Sequence, residues 1–270
     1  MDQTGTHVFG RRIRPMGWQL AWASDTGRVR SHNEDSFACH PGLGLLLVAD
    51  GLGGYSGGEV ASAIAVSAIV DEFKGGAGSS SWCTDPLAEG VSPTVARAHA
   101  AVAGANRQIL EAARQLPRYA GMGSTVVLAW FHDRSVTIAS VGDSRLYRLR
   151  GHELQQLTVD HTVVQEQIVR GWVSPQQARG HMGRGMLTRA LGAEAEVSAD
   201  VFEQTVEPGD LYLLCSDGLF DMLEDGEICD ILTALADDLE QAAAELVRRA
   251  NDRGGLDNIT LILAQATGDC

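Results

Sequence analysis

The chain has few basic residues for its size. Of its 270 residues, 21 are Lys or Arg and 35 are Asp or Glu, which gives a formal net charge of −14. Proteins that bind nucleic acid neutralise phosphates with clustered Lys and Arg, so this balance argues against a nucleic-acid partner. The sequence also lacks an apolar run near the ~20 residues that a membrane-spanning helix requires. We therefore expect neither nucleic-acid binding nor insertion into a membrane.

Cysteine is scarce as well. The five cysteines never form a Cys-x-x-Cys pair, which is the spacing typical of zinc sites, and their odd number does not suit a disulfide framework. We expect reduced thiols and a cytoplasmic location. Three arginines near the N terminus are not followed by an uninterrupted apolar stretch, so they do not indicate a signal peptide. Residues 1–17 are expected to be a flexible lead-in.

Glycine, in contrast, is abundant, with 31 residues against a usual share of ~7%. The Gly-rich stretch of residues 51–58 superficially suggests a nucleotide-binding loop. It lacks the Gly-Lys-Ser/Thr ending with which a P-loop holds phosphates. A P-loop is therefore not expected there.

Apolar patterning predicts both strands and helices. The expected strands cover residues 18–25, 43–49, 124–131, 135–141, 145–150, 197–205, 211–215 and 258–264, and the expected helices cover residues 59–73, 92–116, 159–170 and 235–250. The three strands between residues 124 and 150 are joined by short turns, which predicts an antiparallel meander. Strands and helices come in runs rather than in strict βαβ alternation. This order favours an α+β fold with antiparallel sheets, in one domain over residues 18–267.

Four aspartates lie beside turn residues next to apolar strands: Asp50, Asp143, Asp217 and Asp257. Asp and Gly form turns, so one such site alone would need no function. Strand ends of one sheet edge can converge, however, and two carboxylates ~4 Å apart repel by about 4 kcal/mol at an effective dielectric of 20. Oxygen ligands without a His or Cys cluster select Mg²⁺ or Mn²⁺ over Zn²⁺. Together the four sites predict an all-oxygen divalent-metal site, where Gly51 lets the backbone approach the ion.

The segment of residues 28–35, Arg-Val-Arg-Ser-His-Asn-Glu-Asp, adds charge of both signs. Taken alone, it is typical of a solvated charged surface. The planar guanidinium of Arg30 also suits a phosphate, and the acids Glu34 and Asp35 could orient metal-bound water. An arginine beside an acidic metal site indicates phosphate-ester chemistry.

With these segments in view, the chain resembles bacterial members of the PPM family, the metal-dependent serine/threonine protein phosphatases of type 2C. Each matching stretch is a weak motif, but all seven occur in the family's order between about residue 20 and residue 265. The stretches are Ser24–Phe37, Val48–Ser62, Gly121–Val127, Val141–Arg150, Leu187–Gly192, Cys215–Asp221 and Gly254–Thr260.

The resemblance implies a sandwich of two antiparallel β-sheets flanked by pairs of α-helices, with metals at one end. It implies that Asp50 bridges two Mg²⁺ or Mn²⁺ ions, that the Gly51 carbonyl ligates one of them, and that Asp217 and Asp257 hold the other. Asp143 matches the ligand of a third ion, which it would share with Asp217. Arg30 matches the phosphate-binding arginine.

Glu34 matches a residue that holds metal-bound water, and residues 171–191 match a variable flap beside the metals. Two cations ~3.5–4 Å apart can lower the pKa of a bridging water and clamp the attacking and leaving oxygens. The chain has neither a Gly-x-Ser-x-Gly elbow nor a Cys–Arg loop for a covalent phosphoenzyme. Direct attack by water on the phosphoryl group is therefore expected, and the flap is expected to be mobile, with substrate gating as a hypothesis.

The chain departs from the family at the position of the general acid. Bacterial relatives commonly have His where this chain has Tyr55, and eukaryotic relatives have His where it has Leu52. The leaving-group acid is therefore unassigned, and Tyr55 is expected either to contact substrate or to pack. Three histidines that could titrate, His32, His161 and His181, are expected to be surface or capping residues.

The expected function is dephosphorylation of phosphoserine and phosphothreonine on proteins, opposing a Ser/Thr kinase in bacterial signalling. Partners would be phosphorylated proteins, including a cognate kinase or its targets, and the enzyme is expected to be a monomer. The alternative is a pseudophosphatase that keeps the fold and regulates by binding protein, although all four expected acids are present. A metal nuclease is a third hypothesis, which neither charge nor motifs favour.

Overall fold

The structure is a computed structural model that describes residues 7–13, 17–54, 57–75, 92–178, 181 and 183–267. Several residues discussed above lie outside the described residues. They are Tyr55, residues 179, 180 and 182 of the expected flap, residues 1–6 and 14–16 of the expected lead-in, and the cysteines Cys83 and Cys270. None of the helices in the described ranges is both long and apolar enough to cross a membrane.

Strands and helices alternate in blocks along the chain. The strands are β1 (His7–Ile13), β2 (Trp18–Asp25), β3 (Asp35–His40), β4 (Leu45–Leu52), β5 (Gly123–Ser124), β6 (Val126–His132), β7 (Ser135–Val141), β8 (Arg145–Arg150), β9 (Glu153–Gln156), β10 (Asp200–Thr205), β11 (Leu211–Cys215) and β12 (Ile259–Ala266). The helices are α1 (Gly57–Lys74), α2 (Pro93–Gln115), α3 (Val163–Val169), α4 (Pro175–Ala178), α5 (Asp217–Phe220), α6 (Asp225–Ala234) and α7 (Leu239–Asp252).

These strands form two antiparallel sheets. The first has the order β1-β2-β12-β11-β8-β9, and the second has the order β10-β7-β6-β4-β3, with β5 paired to β4. Helices α1 and α2 pack on the second sheet, and α6 and α7 pack on the first. The predicted α+β sandwich of antiparallel sheets flanked by helices is confirmed.

Strand β4 shows how the sequence builds these layers. Successive side chains of a strand point to opposite faces. Leu45 and Leu47 therefore enter the core shared with α1 and α2, whereas Leu46 and Val48 enter the core between the two sheets. Because each buried aliphatic side chain stabilises the fold by about 1.5–3 kcal/mol, a strand buried on both faces holds its C-terminal end firmly in place.

The predicted meander between residues 124 and 150 is wrong at its second turn. Strand β7 pairs with β6 and β10, but β8 pairs with β11 and β9 in the other sheet. The segment 142–144 is therefore a crossover between sheets. Gly142 has φ +97°, and a Cβ there would lie 2.6 Å from the Thr125 side chain. This left-handed conformation and the close approach of Thr125 require glycine at the crossover, and the pairing of β8 with β11 carries the chain into the other sheet.

The structure also corrects the N-terminal prediction. Residues 7–13 form β1, which pairs with residues 18–24 of β2, so the expected flexible lead-in is wrong for that segment. An edge strand presents unpaired backbone groups that readily accept another strand. Without β1, β2 would be the edge of the first sheet, and β1 pairs with its free side.

The helix expected over residues 235–250 corresponds to α7, which begins at Leu239. A separate helix, α6, precedes it. A capping box of Glu224 and Glu227 starts α6, and the Asp238 side chain accepts a 3.0 Å hydrogen bond from the Gln241 N–H at the start of α7. Helix α3 begins at Val163 rather than Val159, because Thr162 caps it. Side-chain caps set these starts, which apolar periodicity alone does not locate.

Candidate active site

The predicted site residues in the described part of the chain lie at one end of the sandwich. Asp35 at the start of β3 is paired in register with Asp50 near the end of β4. Asp143 lies in the crossover that follows β7, Asp217 begins α5 directly after β11, and Asp257 lies two residues before β12. Strand pairing within each sheet and the packing of the two sheets therefore bring carboxylates from distant parts of the chain to one end of the sandwich.

Three hydrogen bonds fix the backbone at Asp50. Its N–H donates to Thr125 Oγ1 at 3.0 Å, and its carbonyl accepts from the Thr125 N–H at 2.8 Å and from Ser124 Oγ at 3.0 Å. At Gly51 the N–H donates to the Glu34 carbonyl at 3.2 Å. These bonds place the Asp50 carboxylate and the Gly51 peptide at a defined position.

Gly51 also allows α1 to approach the end of β4. A Cβ on Gly51 would lie 2.1 Å from the Gly58 carbonyl oxygen, and a Cβ on Gly58 would lie 2.9 Å from the Glu34 carboxyl carbon. Larger residues at either glycine would push the first turn of α1 away from the site. The glycine excess therefore has a local structural cause here.

Asn258 organises the loops around the site, although no sequence pattern singled it out. Its Oδ1 accepts the Glu34 N–H at 2.8 Å, and its Nδ2 donates to the carbonyls of Thr26 and His32, each at 2.9 Å. One amide thus ties the residue 26–34 loop to the segment before β12. The only sequence signal was the Asp-Asn pair at residues 257–258, which is equally common in ordinary turns.

Burial and mutual repulsion dominate the electrostatics of the site. Burial raises the pKa of Asp50 and of Asp217 well above the ordinary range, and neighbouring carboxylates add to the effect. Burial likewise raises the pKa of Asp35 to about 6 and that of Asp143 to about 7. Because charged forms are disfavoured by low dielectric and by like charges, these aspartates form an electrostatically unsatisfied cluster.

Two buried oxygens of this cluster suit a cation. Asp217 Oδ1 and Asp35 Oδ1 are shielded from solvent and have no hydrogen-bond partner among the described residues, whereas Asp35 Oδ2 accepts from Ser216 Oγ at 2.7 Å. An unpaired buried anionic oxygen is costly. A donor set of carboxylates and the Gly51 carbonyl is the kind that Mg²⁺ or Mn²⁺ prefers, so the residues present fit such ions.

Arg30 lies at the exposed edge of the cluster. It donates to Asp257 Oδ2 at 2.6 Å, and the two side chains are 51% and 32% exposed. This hydrogen bond raises the pKa of the Arg30 guanidinium. In the described part of the chain, no three His, Cys, Asp or Glu side chains are already arranged to hold an ion. Asp257 is instead paired with Arg30.

The expected flap borders this site. It contains α4 and returns through bridges from Leu187 to Thr162 and from Leu191 to Ser124. Arg184 of the flap forms a 2.5 Å ion pair with Asp221. A cavity of about 240 Å³ lies beside this ion pair and is lined in part by Asp143, Asp217, Asp221 and Arg184.

Comparison with known proteins agrees with this geometry. A family model described as protein phosphatase 2C matches residues 27–263. A serine/threonine phosphatase of Listeria monocytogenes, stp, is 37% identical over 247 residues, which cover 90% of this chain and 93% of the relative.

Solved structures give the same result. The catalytic domain of the serine/threonine protein phosphatase PstP, in complex with two manganese ions, is 33% identical, with a TM-score of 0.79 over 93% of this chain and 98% of that one. PppA, a key regulatory component of T6SS in Pseudomonas aeruginosa, is 32% identical, with a TM-score of 0.74 over 92% and 97% of the two chains. By sequence and by fold, the chain belongs to the protein phosphatase 2C family.

Proposed function

We propose that the chain is a Mg²⁺- or Mn²⁺-dependent protein serine/threonine phosphatase that uses two ions and accommodates a third. The observation that carries this proposal is the cluster of aspartates with raised pKa values at one end of the sandwich, bordered by Arg30. Family membership supplies the reaction class, and the relatives' names supply phosphorylated proteins as the substrate class.

We propose that Asp50 and the Gly51 carbonyl would hold the two ions. Asp217 and Asp257 complete the set for the two ions, and Asp143 with Asp217 forms the third position. The buried unpaired Asp217 Oδ1 supports this assignment. When bound, two such ions lower the pKa of a water between them and neutralise charge on the phosphoryl group.

The remaining residues bind and orient. Arg30 is half exposed, so its guanidinium can meet a phosphoryl group presented by another protein and donate charge-assisted hydrogen bonds to it. Glu34, which is held by Asn258 and packed against α1, orients the attacking water. The Leu52 side chain has no ionisable group that could donate a proton. The leaving-group oxygen must therefore obtain its proton from another group. The Tyr55 substrate contact stays a prediction.

The proposal extends to the protein's setting. Every assigned residue belongs to one chain, so a monomer suffices for catalysis. The thiols of Cys39, Cys215 and Cys229 are free, in keeping with a reducing compartment, and we place the enzyme in the cytoplasm opposite a Ser/Thr kinase. We also propose that the flap gates access of the phosphorylated segment.

Phosphate release from a phosphothreonine peptide tests the function. Asp50→Asn and Asp217→Asn are each expected to lower Mn²⁺-dependent kcat/KM at least about 100-fold, because metal catalysis is worth several kcal/mol. Asp230→Asn, which alters an exposed acid on α6, serves as the matched control and should retain full activity. Peptide binding without turnover by the wild type would instead favour the pseudophosphatase, and Mn²⁺-dependent cleavage of single-stranded DNA would favour the nuclease.

A further inference from the structure

The crossover that carries Asp143 is held by the segment of residues 157–161, here called the strap. The Leu157 N–H donates to the Leu146 carbonyl at 2.8 Å, and the Leu146 N–H donates to Thr158 Oγ1 at 3.0 Å. The Asp160 carboxylate accepts two hydrogen bonds from Arg145, at 2.9 and 2.6 Å. The strap therefore fixes the C-terminal side of the crossover.

His161, the last residue of the strap, fixes the other side. It is buried, with 3% exposure, and is not a surface residue. The ring nitrogen Nδ1 of His161 accepts a hydrogen bond from the Gly142 N–H at 3.1 Å. The backbone N–H of His161 donates to the Gly142 carbonyl at 2.9 Å. Both backbone polar groups of Gly142, the residue before Asp143, are thus paired with one histidine.

The other ring nitrogen connects His161 to the region that follows the flap. Nε2 lies 3.1 Å from Asp200 Oδ2, and Asp200 Oδ1 accepts from Arg189 at 2.8 Å. Because Nδ1 accepts a hydrogen bond, the ring proton of the neutral imidazole must be on Nε2, which donates to Asp200. The His161 carbonyl also accepts the Thr188 N–H at 2.8 Å.

We propose that His161, oriented by Asp200, is a positioning residue that sets the place of the Asp143 carboxylate. The inference rests on the proposed function, since Asp143 matters only if it helps to hold a divalent cation. The arrangement resembles the carboxylate–histidine pairs around metal sites, in which the carboxylate fixes the tautomer and orientation of the histidine ring. Here the ring acts on the backbone of the crossover, and its ties to Thr188 and Arg189 link Asp143 to the return of the flap.

The tautomer provides a first test that needs no variant. Long-range ¹H–¹⁵N correlation of the metal-free wild-type protein should show a His161 ring with its proton on Nε2 and an unprotonated Nδ1. A proton on Nδ1 would overturn the proposal, because the Gly142 N–H could then no longer donate to that nitrogen.

The second test measures Mn²⁺ affinity, by titration with electron paramagnetic resonance and by the Mn²⁺ dependence of phosphopeptide hydrolysis. His161→Asn keeps a short acceptor near Gly142 but cannot reach Asp200, and should weaken the Asp143-dependent Mn²⁺ binding about 10-fold. Asp200→Ala should do the same, whereas Asp200→Asn, which still accepts from Nε2, should restore most of the affinity. The matched control is His132→Asn, since His132 bonds Thr137 at the other end of β6, and it should change nothing.

The Asp143→Ala background separates positioning from general loosening of the fold. If His161 acts through Asp143, then His161→Asn should add no further loss of Mn²⁺ affinity to Asp143→Ala. An equal loss in both backgrounds would overturn the proposal. If Asp143→Ala itself leaves Mn²⁺ binding unchanged, the assigned role of Asp143 is refuted and the inference with it. If Asp143→Ala weakens binding but His161→Asn does not, only the inference is refuted.

Discussion

Replacing Asp143 by Asn is expected to stabilise the metal-free protein while impairing the enzyme. Asp143 is buried, with 7% exposure. Burial, and then repulsion from Asp160, raise its pKa from the ordinary 3.8 to about 7. The fold therefore holds this group more easily as a neutral acid than as an anion. Asn is neutral at every pH and has nearly the same shape, so it removes the electrostatic cost and leaves the packing in place.

The sign of the pH dependence follows from proton linkage. Between the unfolded pKa near 4 and the folded pKa near 7, the native state binds more protons than the unfolded state, so the free energy of unfolding falls as pH rises. Above about pH 7 the loss is complete. A difference of about three pH units corresponds to at most about 4 kcal/mol. The stabilisation by Asn should thus be near zero at pH 4 and reach about 2–4 kcal/mol at pH 8.

Urea unfolding in EDTA, followed by far-ultraviolet circular dichroism at pH 4.5, 6 and 8, measures this difference. The midpoint of Asp143→Asn should exceed that of the wild type increasingly with pH, at an unchanged denaturant slope. The exposed Asp230→Asn is the control for removal of one negative charge from a chain of net charge −14. If the variant is no more stable than the wild type at pH 8, the ionised Asp143 carboxylate does not destabilise the metal-free fold.

Two further substitutions test the edges of the site. Arg30→Ala should change the melting temperature little, because its pair with Asp257 is exposed, but it should raise KM for a phosphopeptide about 10–100-fold by removing charge-assisted hydrogen bonds to phosphate; an unchanged KM would contradict the assigned role. Gly218→Ala should destabilise the fold by several kcal/mol in thermal unfolding, because its Cβ would lie 2.1 Å from the Asn258 carbonyl oxygen. Gly226→Ala, with open space around the added carbon, is the matched control and should be at least as stable as wild type.

Much of the framework was predictable because it depends on local patterns. The buried strand before Asp50, the helix α1 and the strand β11 each have an apolar run or period that is interpretable without tertiary information. The aspartates at turns indicated a metal site for the same reason, since each lies next to such a strand. What these features share is that one short segment contains the whole signal.

The features that were missed depend on partners distant in sequence. The Gly-Asp-Ser turn at residues 142–144 has the same local chemistry in a hairpin as in a crossover, and only the pairing of β8 with β11 distinguishes them. Asn258 acquires its role from carbonyls more than two hundred positions earlier. His161 is buried because Gly142 and Asp200, far from it in the chain, each satisfy one ring nitrogen.

Two arginines beside the cluster, Arg145 and Arg30, are bound to other carboxylates and do not neutralise Asp50 or Asp217. Arg145 donates two hydrogen bonds to Asp160, and its guanidinium carbon lies 3.7 Å from the centre of the Phe220 ring. Arg30 is paired with Asp257 at the exposed edge of the cluster. Neither is hydrogen-bonded to Asp50 or to Asp217, whose pKa values burial and mutual repulsion raise. Because ligands must be deprotonated to bind a metal, binding releases the protons that this repulsion retains. Bound ions would relieve the repulsion among ionised carboxylates, and the protons that must first be released make the metal affinity fall as the pH falls.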